Sequence, residues 1–242
     1  MARYLVLRHA QTIWNAEGRW QGHADPPLSD LGMSQCLQAA PALLGEGFDL
    51  VITSDLLRAR HSGELLANAW GWPVETAVEP LLRERDIGAW SAMTTSEIRE
   101  VWPEEFAAFT SDEGNTSPGG EPLDRFDERA AEALRRVDDL ITRAGRTRAL
   151  VVTHGGVIRS LIRKANMERR PVGNLSGGWV EVDGRGIRLL QWVDLLGVGT
   201  AIAARASTGR ASTGRASTGA SGPAKPGAVT RRSDPGSHPA CL

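Results

Sequence analysis

Three short apolar runs, Arg3 to Leu7, Leu50 to Thr53 and Ala149 to Thr153, constrain the fold more than anything else in this chain. Each reads as a buried strand, and helix-forming sequence separates them. After the first run, Ser29 or Asp30 can cap a helix to about Leu44, with apolar Leu31, Leu37, Ala40 and Leu44 near helical spacing. After the second, Asp55 opens a helix to about Trp70, where Gly71 and Pro73 stop it. A long charged helix is predicted from Leu123 to Arg143, its apolar face marked by Phe126, Ala130, Ala133, Leu134, Val137 and Leu140. After the third run Val157 to Lys164 turns helical, and two late strands, Trp179 to Val182 and Ile187 to Trp192, close the body. Alternating strands and helices of this kind predict an α/β fold, a three-layer α/β/α sandwich with a mostly parallel central sheet.

The polar, Gly-containing stretch Ala10 to Pro27 and the middle, Leu81 to Gly120, are less regular. Two short helices are expected in the middle, one at Thr95 to Val101 and one opened by Pro103. Trp90, Trp102 and Phe106 there are lid or core, and packed aromatics are the plainer reading. The composition changes at Gly199, with Arg-Ala-Ser-Thr-Gly repeated three times from Arg205 to Gly219. Residues 1–198 are therefore expected to form the folded domain and 199–242 a low-complexity basic tail, disordered because it has too little apolar surface to offset its ordering entropy.

Of the formal net charge of −1, that tail carries +5 and the body −6. A mildly acidic body gives no reason to expect nucleic acid as a partner, so any affinity for phosphate must come from individually placed arginines. Cys36 and Cys241 lie in dissimilar contexts and do not suggest a disulfide, which fits a reducing compartment. No signal-peptide core or membrane span is apparent, and the chain reads as soluble and cytoplasmic, with no membrane partner. A homodimer is the default assembly.

Two histidines fall where strands should end: His9 after the first run and His154 after the third. In open α/β sheets that edge is where ligands bind, so the pair can share one cleft. Arg8 precedes His9, and Arg58 lies in the first turn of the helix after Leu50 to Thr53. Guanidinium forks match phosphoryl oxygens, and their charge disfavours protonation of a nearby imidazole. On spacing alone Arg58 could equally be a solvated partner of Glu64, and Glu84, within Arg83-Glu84-Arg85-Asp86, a solvated charge cluster. His23, His61 and His238 read as non-catalytic. No His-Glu-x-x-His or comparable ligand cluster appears, so neither a metal nor another cofactor is expected.

The run Leu7-Arg8-His9-Ala10-Gln11-Thr12, with Asn15, Gln21-Gly22, Asp25 and Leu28-Ser29, resembles the signature of the histidine phosphatase superfamily, the phosphoglycerate mutase-like enzymes. Four further blocks match in order: Ser54 to Ala59, Leu82-Arg83-Glu84 with Gly88 and Trp90, Gly119-Gly120-Glu121, and Val152 to Val157. The similarity runs over about residues 3 to 194. It implies that His9 becomes phosphorylated, with Arg8, Asn15, Arg58 and a protonated His154 around the transferring group. Gln21, Gly22 and the backbone at Gly155 would complete the binding pocket, and Glu84 would serve as proton donor. The start of the helix after His154 would add N–H groups and a favourable dipole.

Two departures stand out. Ala10 follows the nucleophile where the family usually has Gly, and would be strained if that backbone needs a positive φ; Ser91-Ala92 replaces a frequent Glu-Gly. The resemblance implies a phosphatase acting on a small-molecule phosphate ester through a phosphohistidine. A phosphoglycerate mutase, or a catalytically weak binder of phosphorylated ligands, are the alternatives.

Overall fold

A computed structural model describes residues 3–71, 73–111, 116–183 and 186–197. The expected tail, 199–242, lies outside the described residues, as do His238 and Cys241. Six strands form one sheet: β1 (Arg3–Arg8), β2 (Leu50–Thr53), β3 (Glu75–Val78), β4 (Arg148–Thr153), β5 (Ser176–Asp183) and β6 (Gly186–Asp194). Their order is β3-β2-β4-β1-β5-β6. The first four are mutually parallel, whereas β5 runs antiparallel to β1, and β6 to β5.

Alternation along the strands builds the three layers. Tyr4 and Val6, with Leu50, Ile52, Ala149 and Val151, face the helices α6 (Leu123–Arg143) and α7 (Gly155–Lys164). Leu5, Leu7, Val51, Leu150 and Val152 point the other way, into a second cluster with α2 (Asp30–Leu43) and α3 (Leu57–Ala69). A strand buried on both faces needs no polar side, which is why these runs are continuously apolar. The expected sandwich is thus observed, with α6 spanning the residues read from its charge pattern. Phe126, on the buried face of α6, anchors that layer, and truncating such a ring costs about 3–5 kcal/mol.

The α2 face differs from its expectation. Leu31, Leu37 and Leu44 are 54 %, 58 % and 44 % exposed, and the buried stripe is Gly32, Cys36, Ala39, Ala40 and Leu43. Close approach decides this: a Cβ at Gly32 would collide with the Gln11 carbonyl, so the helix packs its small residues on the loop after β1. Three elements shift or were not foreseen. A one-turn helix α1 (Ile13–Ala16), closed by a Thr12–Asn15 capping box, lies in the stretch read as loop. The edge strand β3 is mostly exposed and lacks alternation. α3 begins at Leu57, not Asp55, because Asp55 pairs with Arg83 while Asp25 accepts the Leu57 N–H at 2.9 Å.

In the middle segment α4 (Thr95–Val101) and α5 (Pro103–Ser111) match their expected positions. Trp90 and Phe106 are buried with Ile87 and Ile98 in a third cluster, against which half-buried Trp20 and Trp102 pack, so these aromatics are core. No helix among the described residues is long and apolar enough to cross a membrane. Cys36 is a free, buried thiol.

Ala10 does not have a positive φ, and its methyl group is fully buried in the second core cluster. The strain feared there sits instead at Ala92, with φ +69°. Left-handed backbone costs an L-residue roughly 1–2 kcal/mol, partly offset in glycine by its larger unfolded-state entropy. Ala92→Gly should therefore stabilise the protein by about 0.5–1 kcal/mol, a rise of about 1–4 °C in Tm by scanning calorimetry. An unchanged or lower Tm would contradict this account.

Candidate active site

Arg8 and Thr153 are register partners in adjacent parallel strands, so His9 and His154 leave the sheet side by side. The His9 N–H donates to the Thr153 carbonyl at 2.9 Å, and the two ring centroids are 5.3 Å apart. From this point the chain leaving β1 crosses toward β2, while the chain leaving β4 crosses toward β5 on the opposite side. This is the topological switch at which open sheets form a crevice.

Each imidazole is held at one nitrogen, and for His9 the partner fixes the tautomer. His9 Nδ1 lies 2.7 Å from the Ala10 carbonyl, which can only accept, so Nδ1 carries the proton and Nε2 keeps its lone pair. Ser54 Oγ accepts the Leu56 N–H at 3.3 Å and stands 2.8 Å from His154 Nε2. The hydroxyl keeps a second lone pair and its own proton, so this contact holds His154 Nε2 in either tautomer, while Nδ1 is buried with no partner. Burial first, then the charges of Arg58 and Arg8, hold His9 well below the usual imidazole pKa; burial, Arg58, His9 and Arg8 do the same to His154. Without a phosphoryl group in the site, its own charges favour a neutral His154, whereas the family resemblance implies a protonated one around the transferring group.

Arg58 is 1 % exposed, which rules out the solvated-pair reading. Its Nη1 donates to the Ala24 carbonyl at 2.7 Å and Nη2 to the Gly22 carbonyl at 2.8 Å, while Nε is buried and unpartnered. Gly22 has φ +50° and a Cβ there would meet Ile87 at 2.6 Å, so only glycine serves this turn. Arg8 donates to the Val172 carbonyl at 2.8 Å. Burial and the neighbouring Arg159 draw its pKa down to about 10, which leaves it charged at neutral pH.

Glu84 accepts the Arg85 N–H at 2.8 Å and the Gly156 N–H at 3.0 Å, bringing its carboxyl to the N-terminus of α7 two residues past His154. A Cβ at Gly156 would run into that carboxyl. α7 starts at Gly155, two residues earlier than expected, and this is what supplies the N–H. Asn15 and Gln21 stand one step back. Asn15 Oδ1 accepts the Thr12 N–H at 3.2 Å, and the backbone carbonyl of Gln21, a residue 9 % exposed, accepts from Ser91 Oγ at 3.1 Å.

Several contributors escaped the sequence reading. Arg129 on α6 donates to the carbonyls of Leu81, Arg83 and Glu84 while pairing with Glu121, and so fixes the segment that carries Glu84. Asn174 donates to the His9 carbonyl at 2.9 Å. His23, read as non-catalytic, bonds through Nε2 to the Glu84 carbonyl at 2.9 Å. Among the described residues no three His, Cys, Asp or Glu side chains cluster so as to hold a metal ion.

The family model of the histidine phosphatase superfamily (branch 1) matches residues 4–195. The chain belongs to this superfamily. It is 35 % identical over 201 residues to phosphoglycerate mutase-like protein 4 of Arabidopsis thaliana, covering 80 % of this chain and 86 % of that one. It is 36 % identical over 202 residues to glucosyl-3-phosphoglycerate phosphatase of Mycolicibacterium vanbaalenii, covering 81 % and 84 %. Among solved structures, a mycobacterial glucosyl-3-phosphoglycerate phosphatase in complex with VO3 superposes with a TM-score of 0.66 at 27 % identity, over 80 % of this chain and 97 % of that one. As a superfamily member, the protein is an enzyme of the phosphatase type whose site residues can be weighed by their geometry.

Two neutral buried imidazoles impose a pH dependence on stability. Their folded pKa values lie below the ordinary 6.5, so below that pH the unfolded chain binds protons that the folded chain refuses. Stability should be full above about pH 6.5 and fall on the order of 1 kcal/mol per pH unit for each ring as pH drops below it. Urea midpoints measured from pH 7.5 to 5 should fall less steeply for His9→Gln and His154→Gln than for the wild type; equal slopes would refute the assignment.

Proposed function

We propose that this superfamily member is a metal-independent phosphomonoesterase that hydrolyses a small phosphorylated metabolite through a phosphohistidine on His9. The observation that carries the reading is the His9 ring itself, with Nδ1 tied to the Ala10 carbonyl and Nε2 unprotonated beside two arginines.

In this mechanism the Nε2 lone pair forms the N–P bond as the bond from phosphorus to the leaving oxygen breaks. Protonated Glu84 gives its proton to that oxygen. Water then attacks phosphorus and loses a proton to the Glu84 carboxylate, and the N–P electron pair returns to His9. Arg8 and Arg58 neutralise charge on the equatorial oxygens with His154 beside them, work that positioned groups do without reorganising. Asn15, Gln21, Gly22 and Gly155 shape the pocket around the group. Two contacts support this role for Glu84: Arg129 binds its backbone carbonyl, and the Gly156 N–H holds its carboxyl.

A phosphoglycerate mutase would use the same first step and differ only in returning the phosphoryl group to the organic intermediate. Incubation with 3-phosphoglycerate, with and without 2,3-bisphosphoglycerate, should give free phosphate in excess of 2-phosphoglycerate; the opposite ratio would favour the mutase. With 4-nitrophenyl phosphate, EDTA should leave the rate unchanged. His9→Ala should lower kcat by about 10⁴-fold or more, and Glu84→Gln by about 10²- to 10⁴-fold. Because His9 is neutral well below pH 6.5, the acid limb of kcat/KM should lie below that value. Loss of activity in EDTA with recovery on adding a divalent ion, or a phosphoryl label on another side chain, would sink the mechanism.

A further inference from the structure

The backbone just past β1 is bound atom by atom. The His9 carbonyl accepts from Asn174 Nδ2 at 2.9 Å, and the Ala10 N–H donates to Ser62 Oγ at 3.0 Å. The next peptide group, Ala10 to Gln11, is bound to the nucleophile itself: its carbonyl accepts the His9 Nδ1–H at 2.7 Å, while its N–H donates to Gln35 Oε1 at 3.0 Å. A backbone N–H can only donate, so it is the oxygen of the Gln35 amide that faces it.

Half-buried Gln35 reaches this peptide because of how α2 is seated. It lies one turn after Gly32 on the same helix face, and the missing Cβ of Gly32 lets α2 close on the Gln11 carbonyl. Ser29, the N-cap of α2, fastens the same residue: its N–H donates to the Gln11 carbonyl at 3.0 Å and its Oγ to Gln11 Oε1 at 2.8 Å.

A peptide unit is planar, so fixing the direction of its N–H fixes the direction of its carbonyl. Gln35 therefore aims the Ala10 carbonyl at His9 Nδ1. The bonds run head to tail, from Nδ1–H to the Ala10 carbonyl and from the Gln11 N–H to Gln35 Oε1, an arrangement in which each polarises the next. As Nε2 bonds to phosphorus the ring gains positive charge, and its Nδ1–H becomes a stronger donor. An interaction that strengthens on the way to the transition state raises kcat and leaves substrate binding alone.

Taking His9 as the phosphorylated nucleophile, a reading on which this inference rests, we propose that Gln35 is a positioning residue that acts through the Ala10–Gln11 peptide. It holds His9 in the tautomer with Nδ1 protonated and Nε2 free, and it steadies the charge that the ring takes on during transfer.

The test uses the full chain with Gln35→Leu, which removes the acceptor, and Gln35→Glu, which keeps one. With 4-nitrophenyl phosphate, Gln35→Leu should lower kcat by about 10- to 100-fold and leave KM within about threefold, and Gln35→Glu should recover most of the loss. Nitrogen NMR of the labelled histidine rings, with the His9 signals assigned by their absence in His9→Ala, supplies a readout that a purely structural role would not move. The wild type and Gln35→Glu should show a protonated Nδ1 and a bare Nε2, whereas Gln35→Leu should show a mixture of the two tautomers. Should Gln35→Leu not fold, Gln35→Met, unbranched and of similar length, takes its place. A leucine or methionine variant with wild-type kcat, or with the His9 tautomer unchanged, would overturn the proposal, and so would an equal loss of kcat in Gln35→Glu. If the wild type released no phosphate above the His9→Ala background, the phosphomonoesterase reading would fail by itself. The tautomer measurement would then decide the role of Gln35 without any turnover.

Discussion

The parallel pairing of β1 with β4 is the constraint on which the rest of the molecule depends. Its register sets Arg8 opposite Thr153, and the next residue of each strand is a histidine. A slip of one residue would turn Leu5 and Leu7 toward α6 and α7, and Tyr4 and Val6 toward α2 and α3, so both cores would lose their packing together. The hydrophobic burial that stabilises the sheet is therefore the same force that holds two imidazoles at 5.3 Å. No separate interaction is needed to bring them into one cleft.

Gathering those rings with two arginines is electrostatically costly, and the surrounding structure shows how the cost is met. The imidazoles stay neutral, and each has one nitrogen tied to a fixed partner, the Ala10 carbonyl or the Ser54 hydroxyl. Arg58 cannot neutralise itself and is instead held by two backbone carbonyls, with Asp25 3.7 Å away. Glu84 acts on Arg8 and Arg58 with the opposite sign, raising their pKa values while burial lowers them. The Arg58 guanidinium is thus fixed in place before any ligand arrives, the kind of preorganisation from which electrostatic catalysis draws its strength.

The sheet and both histidines were legible because buried parallel strands announce themselves as continuous apolar runs, and a polar residue ending such a run marks the ligand-binding edge. Arg58 and Glu84 were legible only through the family pattern, since spacing alone left each open to a solvated reading. Arg129 could not be found that way: its bonds to Leu81, Arg83 and Glu84 join residues more than forty positions apart, and its sequence neighbours look like any charged helix. The role of Ser54 was hidden for the same reason, its partner lying 100 residues away. The α2 face was misread because leucines outweigh glycine and alanine in any hydrophobic pattern. Yet close packing on Gln11 selects for smallness there, not for apolar bulk.

The two alanines that depart from the family pattern show how a local oddity is absorbed. Ala10 keeps a negative φ, its N–H donates to Ser62 Oγ at 3.0 Å, and its methyl group becomes part of the core. Ala92 takes the left-handed conformation, and its peptide groups are held on both sides: its N–H donates to the Trp20 carbonyl at 2.8 Å, and its carbonyl accepts from Arg19 Nη1 at 2.7 Å. Neighbouring Ser91 donates to the Gln21 carbonyl. Those three bonds fasten the 91–92 turn to residues 19–21, which lead directly into the Gly22 and Ala24 carbonyls that grip Arg58. Backbone strain persists only where its surroundings over-determine it. Here the surroundings that fix Ala92 are the same segment that positions a buried guanidinium, so the strained turn and the candidate site are stabilised by one set of contacts.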